Sequence, residues 1–296
     1  MGRTVYEAQH SANEVEYIEG GIDWLTLTLP ADEPTGELWI QQGLRVIDTI
    51  GRGGYEIKPR SMQGYYGASA GNCFVGSRED GHMMQLTGAH ANDHFASVFR
   101  LDAHVSRIDV QCTAKFKVMP TNIAIRSYGD ASTNNKTLPE GRRRRLVIIR
   151  GNDGGDTFYL GSPSSDQRGR IYNKAVQSES PKYARCWRYE VVYRNDLATQ
   201  LSRTVPYPLE TRAKWAEEMV YRWYDKRGVH NCGIDHEIDV YLPLSSPIPS
   251  DVERKLNWLH KQVGPTVRYL IEAGYRDTIL TSLGLTGAVS PDSSDS

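Results

Sequence analysis

Three polar residues stand inside stretches that otherwise read as β-strand: Asp109 in RIDVQ, Tyr172 in GRIYNKA and Glu190 in RYEVVY. Strands disfavour carboxylates at such positions, so Asp109 and Glu190 need a reason. For any one residue the simpler reason is a one-sided antiparallel sheet, in which every second side chain faces water. The other reason is chemical. Two carboxylates from neighbouring strands offer hard oxygen ligands to Mg²⁺ or Mn²⁺. Such an ion polarises a phosphodiester, and a tyrosine phenol can then attack phosphorus and leave a covalent phosphotyrosine. A phenol with its ordinary pKa of about 10 needs help for that. Arg170 and Lys174 stand two residues either side of Tyr172 with its strand parity, placed to pair with phosphate oxygens.

The elements that must carry these residues follow from hydrophobic periodicity. Alternation predicts strands over 20–30, 104–116, 169–175 and 185–195, and several short strands between glycine turns over 52–88. The segment RRRRLVIIRGNDGGDTFYLGS reads as a hairpin around an Asn-Asp-Gly-Gly turn. Helical spacing covers 35–51, a short helix covers 91–101, and Pro120 and Thr121 open another that reaches about 130. Trp215, Met219 and Trp223, at i, i+4 and i+8, mark an amphipathic helix over 207–228. A last helix spans 250–275, kinked or split by Pro265. Strict βα alternation is missing, so the class is α+β with a largely antiparallel sheet and flanking helices, followed by a helical C-terminal region. The expected division is a flexible N-terminus (1–19), a catalytic α+β domain (20–204), a helical region (205–285) and a disordered tail (286–296).

Charge and composition exclude other classes. The net charge is −1, so positive charge for a nucleic acid must be gathered locally. Arg142, Arg143, Arg144 and Arg145 form the densest positive run, with Lys136 and Arg150 extending it. That run is either a solvated strand entry or a phosphate-binding edge. The four cysteines make no CxxC, which argues against a zinc or disulfide framework and suits a reducing cytoplasm. His90 and His94 have the i, i+4 spacing of zinc ligands but no obvious third partner. No apolar run is long enough to span a membrane, and no secretory signal is visible.

The ordered set of motifs resembles the Rep_trans replication initiation factors, rolling-circle initiators of plasmids and phages with related relaxases of conjugative elements. The resemblance rests on Gly161, Ser165 and Asp166 leading into Arg170, Ile171, Tyr172, Asn173 and Lys174. Arg107, Ile108 and Asp109 match an earlier strand, and Trp187, Arg188 and Glu190 a later one. The opening IDWLTLT and the later LNWLHKQVGPTV fit as well, so the resemblance runs from about 20 to 275. Two positions depart from it: Thr113 stands where a second acid is frequent, and Gln85 where a glutamate is.

The resemblance implies a metal-dependent DNA nickase and religase. Tyr172 would be the nucleophile, Arg170 and Lys174 its phosphate-stabilising cations, and Asp109 and Glu190 the ligands of Mg²⁺ or Mn²⁺. Asp23 would be a further ligand or a strand-end structural residue. Arg142 to Arg145, Lys136 and Arg188 would contact DNA. The expected partners are an origin hairpin with a single-stranded nick site, a host or element helicase, and a second copy of the chain. A relaxase of an integrative conjugative element shares this chemistry. A catalytically degenerate, sequence-specific DNA-binding regulator is the alternative that Thr113 and Gln85 favour.

Overall fold

The computed structural model describes residues 15–229, except 101–102, 118–121, 152–153, 179 and 207–208, together with residues 267, 270–271 and 274–282. The expected helix over 250–275 with its Pro265 kink, and the expected tail, lie almost wholly outside the described residues. The chain divides into two compact units, residues 1–242 and 243–296. In the second, the described helix is Arg276–Ser282.

The first unit is built on one ten-stranded antiparallel sheet. Its strands are β1 (Val15–Pro30), β2 (Ile57–Met62), β3 (Tyr65–Ala70), β4 (Cys73–Arg78), β5 (Gly81–Thr87), β6 (His104–Phe116), β7 (Leu146–Ile149), β8 (Thr157–Leu160), β9 (Gln167–Asn173) and β10 (Cys186–Arg194). They lie in the order β2-β3-β4-β5-β1-β6-β10-β9-β8-β7. The sheet is therefore antiparallel with flanking helices, as its sequence predicts. The two strands that carry Asp109 and Glu190 are neighbours, and the strand of Tyr172 pairs with the second of them.

One face of the sheet is apolar and takes the helices. Leu25, Leu27, Ile108, Val110, Cys112, Tyr189, Val191, Ile171 and Phe158 are buried there. Over them pack α1 (Gly36–Arg52), α2 (Ala89–Val98), α3 (Ile123–Thr137), α5 (Asn195–Ser202) and α6 (Leu209–Asp225). Helix α6 lies close against the strand backbones. A Cβ at Gly20 would stand 2.7 Å from the Ala213 carbonyl oxygen, and one at Gly169 would stand 2.4 Å from the Trp223 ring. The glycine that opens GRIYNKA is thus a place where a helix must touch a strand backbone. Trp215, Met219 and Trp223 do form the buried stripe of α6.

Several boundaries differ from expectation. Strand β1 starts at Val15, so part of the segment read as a loose N-terminus is paired with β6. Helix α3 runs to Thr137 rather than 130; the helix packs on β7, β8 and β9, and Asn134 and Asn135 tie its polar second half to Arg144, which periodicity does not register. Helix α5 has no counterpart in the sequence reading, because Leu197, Ala198 and Leu201 span little more than one turn, too short to set a period. Strand β9 ends at Asn173, one residue before Lys174. There the Asn173 side chain accepts from the Ala175 and Val176 amides and caps the single turn α4 (Lys174–Gln177). Helix α6, which the sequence sets apart from the sheet, packs on β1 and β6 within the first unit.

Candidate active site

The other face of the sheet is polar, and its centre holds the expected site residues. Register places Glu190 opposite Gln111 of β6 and opposite Arg170 of β9. Arg188 lies opposite Thr113 and Tyr172, and Asp109 opposite Val192 and, in β1, Trp24. Side chains across an antiparallel pair share a face, so these residues form one patch.

At its heart the Tyr172 hydroxyl donates to Glu190 Oε1 at 2.7 Å. Arg170 closes the other carboxylate oxygen through Nε, at 2.9 Å from Oε2, and through a terminal nitrogen. The same guanidinium lies 4.6 Å from the centre of the Tyr172 ring, and Lys174 Nζ lies 5.9 Å from it. Lys174 has left the strand but still faces the tyrosine. Glu190 and Tyr172 are only 1 % and 5 % exposed. Burial, followed by the charge of Glu190, pushes the Tyr172 phenol well above the ordinary tyrosine range. The phenol is a neutral hydrogen-bond donor at rest.

Asp109 forms a second polar cluster one residue pair along. Arg107 grips it at both oxygens, at 2.8 and 2.6 Å, and lies over the Trp24 ring at 4.2 Å. Burial raises the Asp109 carboxyl to about 6, against the pull of Arg107, with Glu190 and Asp23 pushing the same way. Asp23 is likewise raised, first by burial and then by Glu190. The three carboxylates feel one another, but each is held by an arginine. Among the described residues no three Asp, Glu, His or Cys side chains gather as a metal-ligand set. His90 and His94 stack with ring centres 6.3 Å apart and gain no third ligand there.

Arg188 is where the structure departs most from the sequence reading. Expected at a DNA surface, it is 4 % exposed and spent inside the patch. Its nitrogens reach Glu19 Oε1 at 2.9 Å, Asp23 Oδ1 at 3.4 Å and Thr113 Oγ1 at 2.9 Å. Glu19 is a residue that the sequence reading missed, having placed it in the loose N-terminus. It lies opposite Thr113 in register and also accepts from Lys182 at 3.3 Å and Tyr183 at 2.7 Å. Burial tends to raise its pKa, but the Tyr183 hydrogen bond and the charges of Arg188 and Lys182 hold it below the ordinary value.

The family's sequence pattern, described as replication initiation factor (Rep_trans), matches residues 103–283, more than half of the chain and the part that holds Asp109, Tyr172 and Glu190. The chain belongs to the Rep_trans replication initiation factor family. Among solved structures, a rolling circle replication initiator protein from Geobacillus stearothermophilus is similar at 20 % identity and a TM-score of 0.44, covering 64 % of this chain and 78 % of that one. No curated protein matches the chain.

The initiation factor's basic run lies at the sheet edge. Arg142 closes a 3₁₀ turn, Arg143 to Arg145 lead into β7, and β7 is one of the two edge strands. Arg142, Arg143, Arg145 and Lys136 are exposed. Arg144 is fixed from both sides: Asn135 clasps its backbone, at 2.7 and 3.1 Å, and Asn134 accepts from its side chain at 3.2 Å. From β7 it is two strand spacings to β9, roughly 10 Å. Between them Arg168 lies over the Tyr159 ring at 4.2 Å. Cations and aromatic rings thus alternate from the edge to Tyr172, a combination suited to single-stranded nucleic acid. Sequence parity gave the polar face; which rings the arginines cover is a matter of cross-strand register.

Proposed function

We propose that this protein initiates rolling-circle DNA replication by nicking one strand, with Tyr172 as the nucleophile. One observation carries the reading: the Tyr172 phenol donates to Glu190 Oε1 while Arg170 and Lys174 face its ring. The Tyr172 oxygen attacks phosphorus at a single-stranded site, and the bond from phosphorus to the 3′ oxygen breaks. The phenol's proton passes to Glu190 Oε1, and the departing 3′ oxygen takes a proton from water. The product is a 5′-phosphotyrosine and a free 3′ hydroxyl that can prime synthesis. Because Tyr172 is held neutral, proton transfer accompanies attack, as general-base catalysis requires. The phosphodiester's energy stays in the tyrosyl link, so religation needs no nucleotide cofactor.

Arg170 and Lys174 would pair with the non-bridging oxygens of the phosphate. Arg142, Arg143, Arg145 and Lys136 would hold the DNA backbone at the sheet edge, and Tyr159 with Arg168 would receive bases on the way to Tyr172. Mg²⁺ or Mn²⁺ is the cofactor we assign to the reaction. Asp109, Asp23 and Glu190 are hard oxygen donors whose mutual repulsion a divalent cation would relieve, although in this arrangement they do not gather as a ligand set. They would hold it in exchange for arginine contacts, and the ion would polarise the phosphodiester. We assign origin DNA, a helicase and a second copy of the chain as partners, acting in the cytoplasm. Among the described residues no helix is long and apolar enough to cross a membrane.

The arginine grip on both Asp109 and Glu190 favours one second reading, a DNA-binding regulator whose catalytic site is closed. One experiment separates the two. A library of hairpin oligonucleotides with randomised loops is incubated with the protein and Mn²⁺, the protein is denatured, and covalently attached DNA is recovered and sequenced. A nickase yields an enriched loop sequence, lost in Tyr172→Phe and in EDTA. Sequence-selective binding with no covalent DNA supports the regulator instead. An adduct that persists in Tyr172→Phe removes Tyr172 from the reaction.

A further inference from the structure

A second phenol–carboxylate pair stands beside the first. The Tyr183 hydroxyl donates to Glu19 Oε2 at 2.7 Å, the same length as the bond from Tyr172 to Glu190. Lys174 faces both rings, at 5.2 Å from the centre of Tyr183 and 5.9 Å from that of Tyr172. Arg188, cross-strand neighbour of Tyr172, lies 5.8 Å from the Tyr183 ring and binds Glu19. Two tyrosines, each with its own carboxylate acceptor, therefore share one cationic centre. They differ in access. Tyr172 is buried in the sheet, whereas Tyr183 ends the surface turn Pro181–Tyr183 and is partly exposed.

We propose that Tyr183 is a second nucleophile, which cuts a second single-stranded DNA while Tyr172 still carries the first. The proposal rests on the nicking reading above. A strand displaced by synthesis has to be cut again at the regenerated nick site before it can be released. At that moment the Tyr172 oxygen is esterified and has no lone nucleophile to offer. The Tyr183 oxygen attacks phosphorus at the second site, its proton passes to Glu19 Oε2, and the bond to the 3′ oxygen breaks. The freed 3′ oxygen attacks the phosphorus held by Tyr172, the bond from that phosphorus to Tyr172 breaks, and the phenolate is reprotonated. The displaced strand closes into a circle, and the chain is left with DNA on Tyr183. Lys174, between the rings, is placed to serve the phosphate at either tyrosine.

The test uses the full chain, Mn²⁺ and the hairpin oligonucleotide recovered by the selection above. A first portion with one fluorophore forms the adduct and its released fragment is washed away. A second portion with another fluorophore follows, with sulfur replacing the bridging 3′ oxygen at the nick site, so that the released 3′ thiol does not attack the phosphorus on Tyr172 and the doubly attached chain persists. Denaturation separates any paired chains before the labels are read. The expected result is single chains carrying both labels, with nucleotide-bearing peptides at both Tyr172 and Tyr183. Tyr183→Phe should still take the first label and lose the doubly labelled species. Glu19→Gln, which keeps a polar acceptor but is a far weaker base, should slow the second attachment by about 10²-fold. The proposal is overturned if wild-type chains take one label and never two, or if double labelling survives in Tyr183→Phe. It is equally overturned if Tyr183→Phe loses the first label as completely as the second, since Tyr183 would then only support the Tyr172 site. If the wild type takes no label at all, the nicking reading fails, and this proposal with it.

Discussion

Replacing Arg188 by methionine separates two roles for a basic residue on this sheet. As a DNA contact it would be dispensable for folding. In the structure its side chain is 5 % exposed and answers two carboxylates, Glu19 and Asp23, which are themselves only 29 % and 26 % exposed. It also donates to the fully buried Thr113 hydroxyl. Methionine keeps most of the packing volume and removes the charge, so the cost is that of stranding the partners. Removing one member of a buried ion pair costs 3–5 kcal/mol, and because both carboxylates keep some contact with water, we take the lower end, about 3 kcal/mol. At about 2–4 °C per kcal/mol for a unit of this size, that is a fall in Tm of roughly 6–12 °C. Urea titration of wild type, Arg188→Met, Glu19→Gln and the double variant measures it. The double variant should recover part of the loss, because the stranded Glu19 charge is gone. A loss below about 1 kcal/mol, joined to a salt dependence of DNA binding shallower by one phosphate, would refute the buried-counterion assignment and restore Arg188 to the DNA surface.

Three further outcomes follow from the geometry. Gly169→Ala puts a Cβ 2.4 Å from the Trp223 ring and 2.7 Å from the Tyr224 hydroxyl, so it should cost about 1–3 kcal/mol by urea titration. A neutral result would mean that α6 does not dock against the Gly169 backbone. Arg142→Gln and Arg143→Gln should each weaken DNA binding alike for all sequences and reduce the slope of log K against log salt by about one, with unfolding unchanged. A loss confined to one sequence would make them readers of bases instead. Glu19, held below its ordinary value of 4.5, contributes stability that is fully present above that value and lost as pH falls through its lower folded value. Stability of the wild type should therefore drop in the acid range, and Glu19→Gln should be less stable at neutral pH with a flatter acid limb. Parallel pH curves for the two proteins would remove Glu19 from the linkage.

The sheet was legible because its strands alternate. Strand β6 has the predicted bounds, and Tyr189, next in sequence to Glu190, is buried among the core residues. Parity also put Arg170 on the side of Tyr172; that Asp109 and Glu190 share that face follows from the register between strands. It gave a wrong environment for Arg188, because alternation says which face a side chain takes and not whether that face is wet. In the middle of a ten-stranded sheet the polar side chains screen one another from water, and Glu19, Asp23 and Thr113 enclose Arg188. The position of Lys174 needed capping chemistry: the Asn173 side chain turns the backbone before the strand pattern in the sequence ends.

Glu19 shows how the polar face gains a carboxylate where a single strand reads as deficient. Thr113 lacks a carboxylate, and inspection of β6 alone stops there. The carboxylate comes instead from the strand alongside, because Glu19 lies opposite Thr113. Strict alternation forbids this. Tyr17 pairs with Ala114 on the apolar face, and two residues on, Glu19 should follow it there. A register irregularity between Tyr17 and Glu19 advances β1 by two residues against one of β6, which turns Glu19 over to the polar face. A second irregularity, between Ile22 and Trp24, brings Trp24 opposite Asp109 and leaves Asp23 as the extra residue, beside Arg188. Both bulges act on one strand, and each adds a carboxylate to the same arginine. Periodicity fails at those two points because a bulge interrupts the rule on which periodicity depends, and the interruptions are what supply Arg188 with its counter-charges.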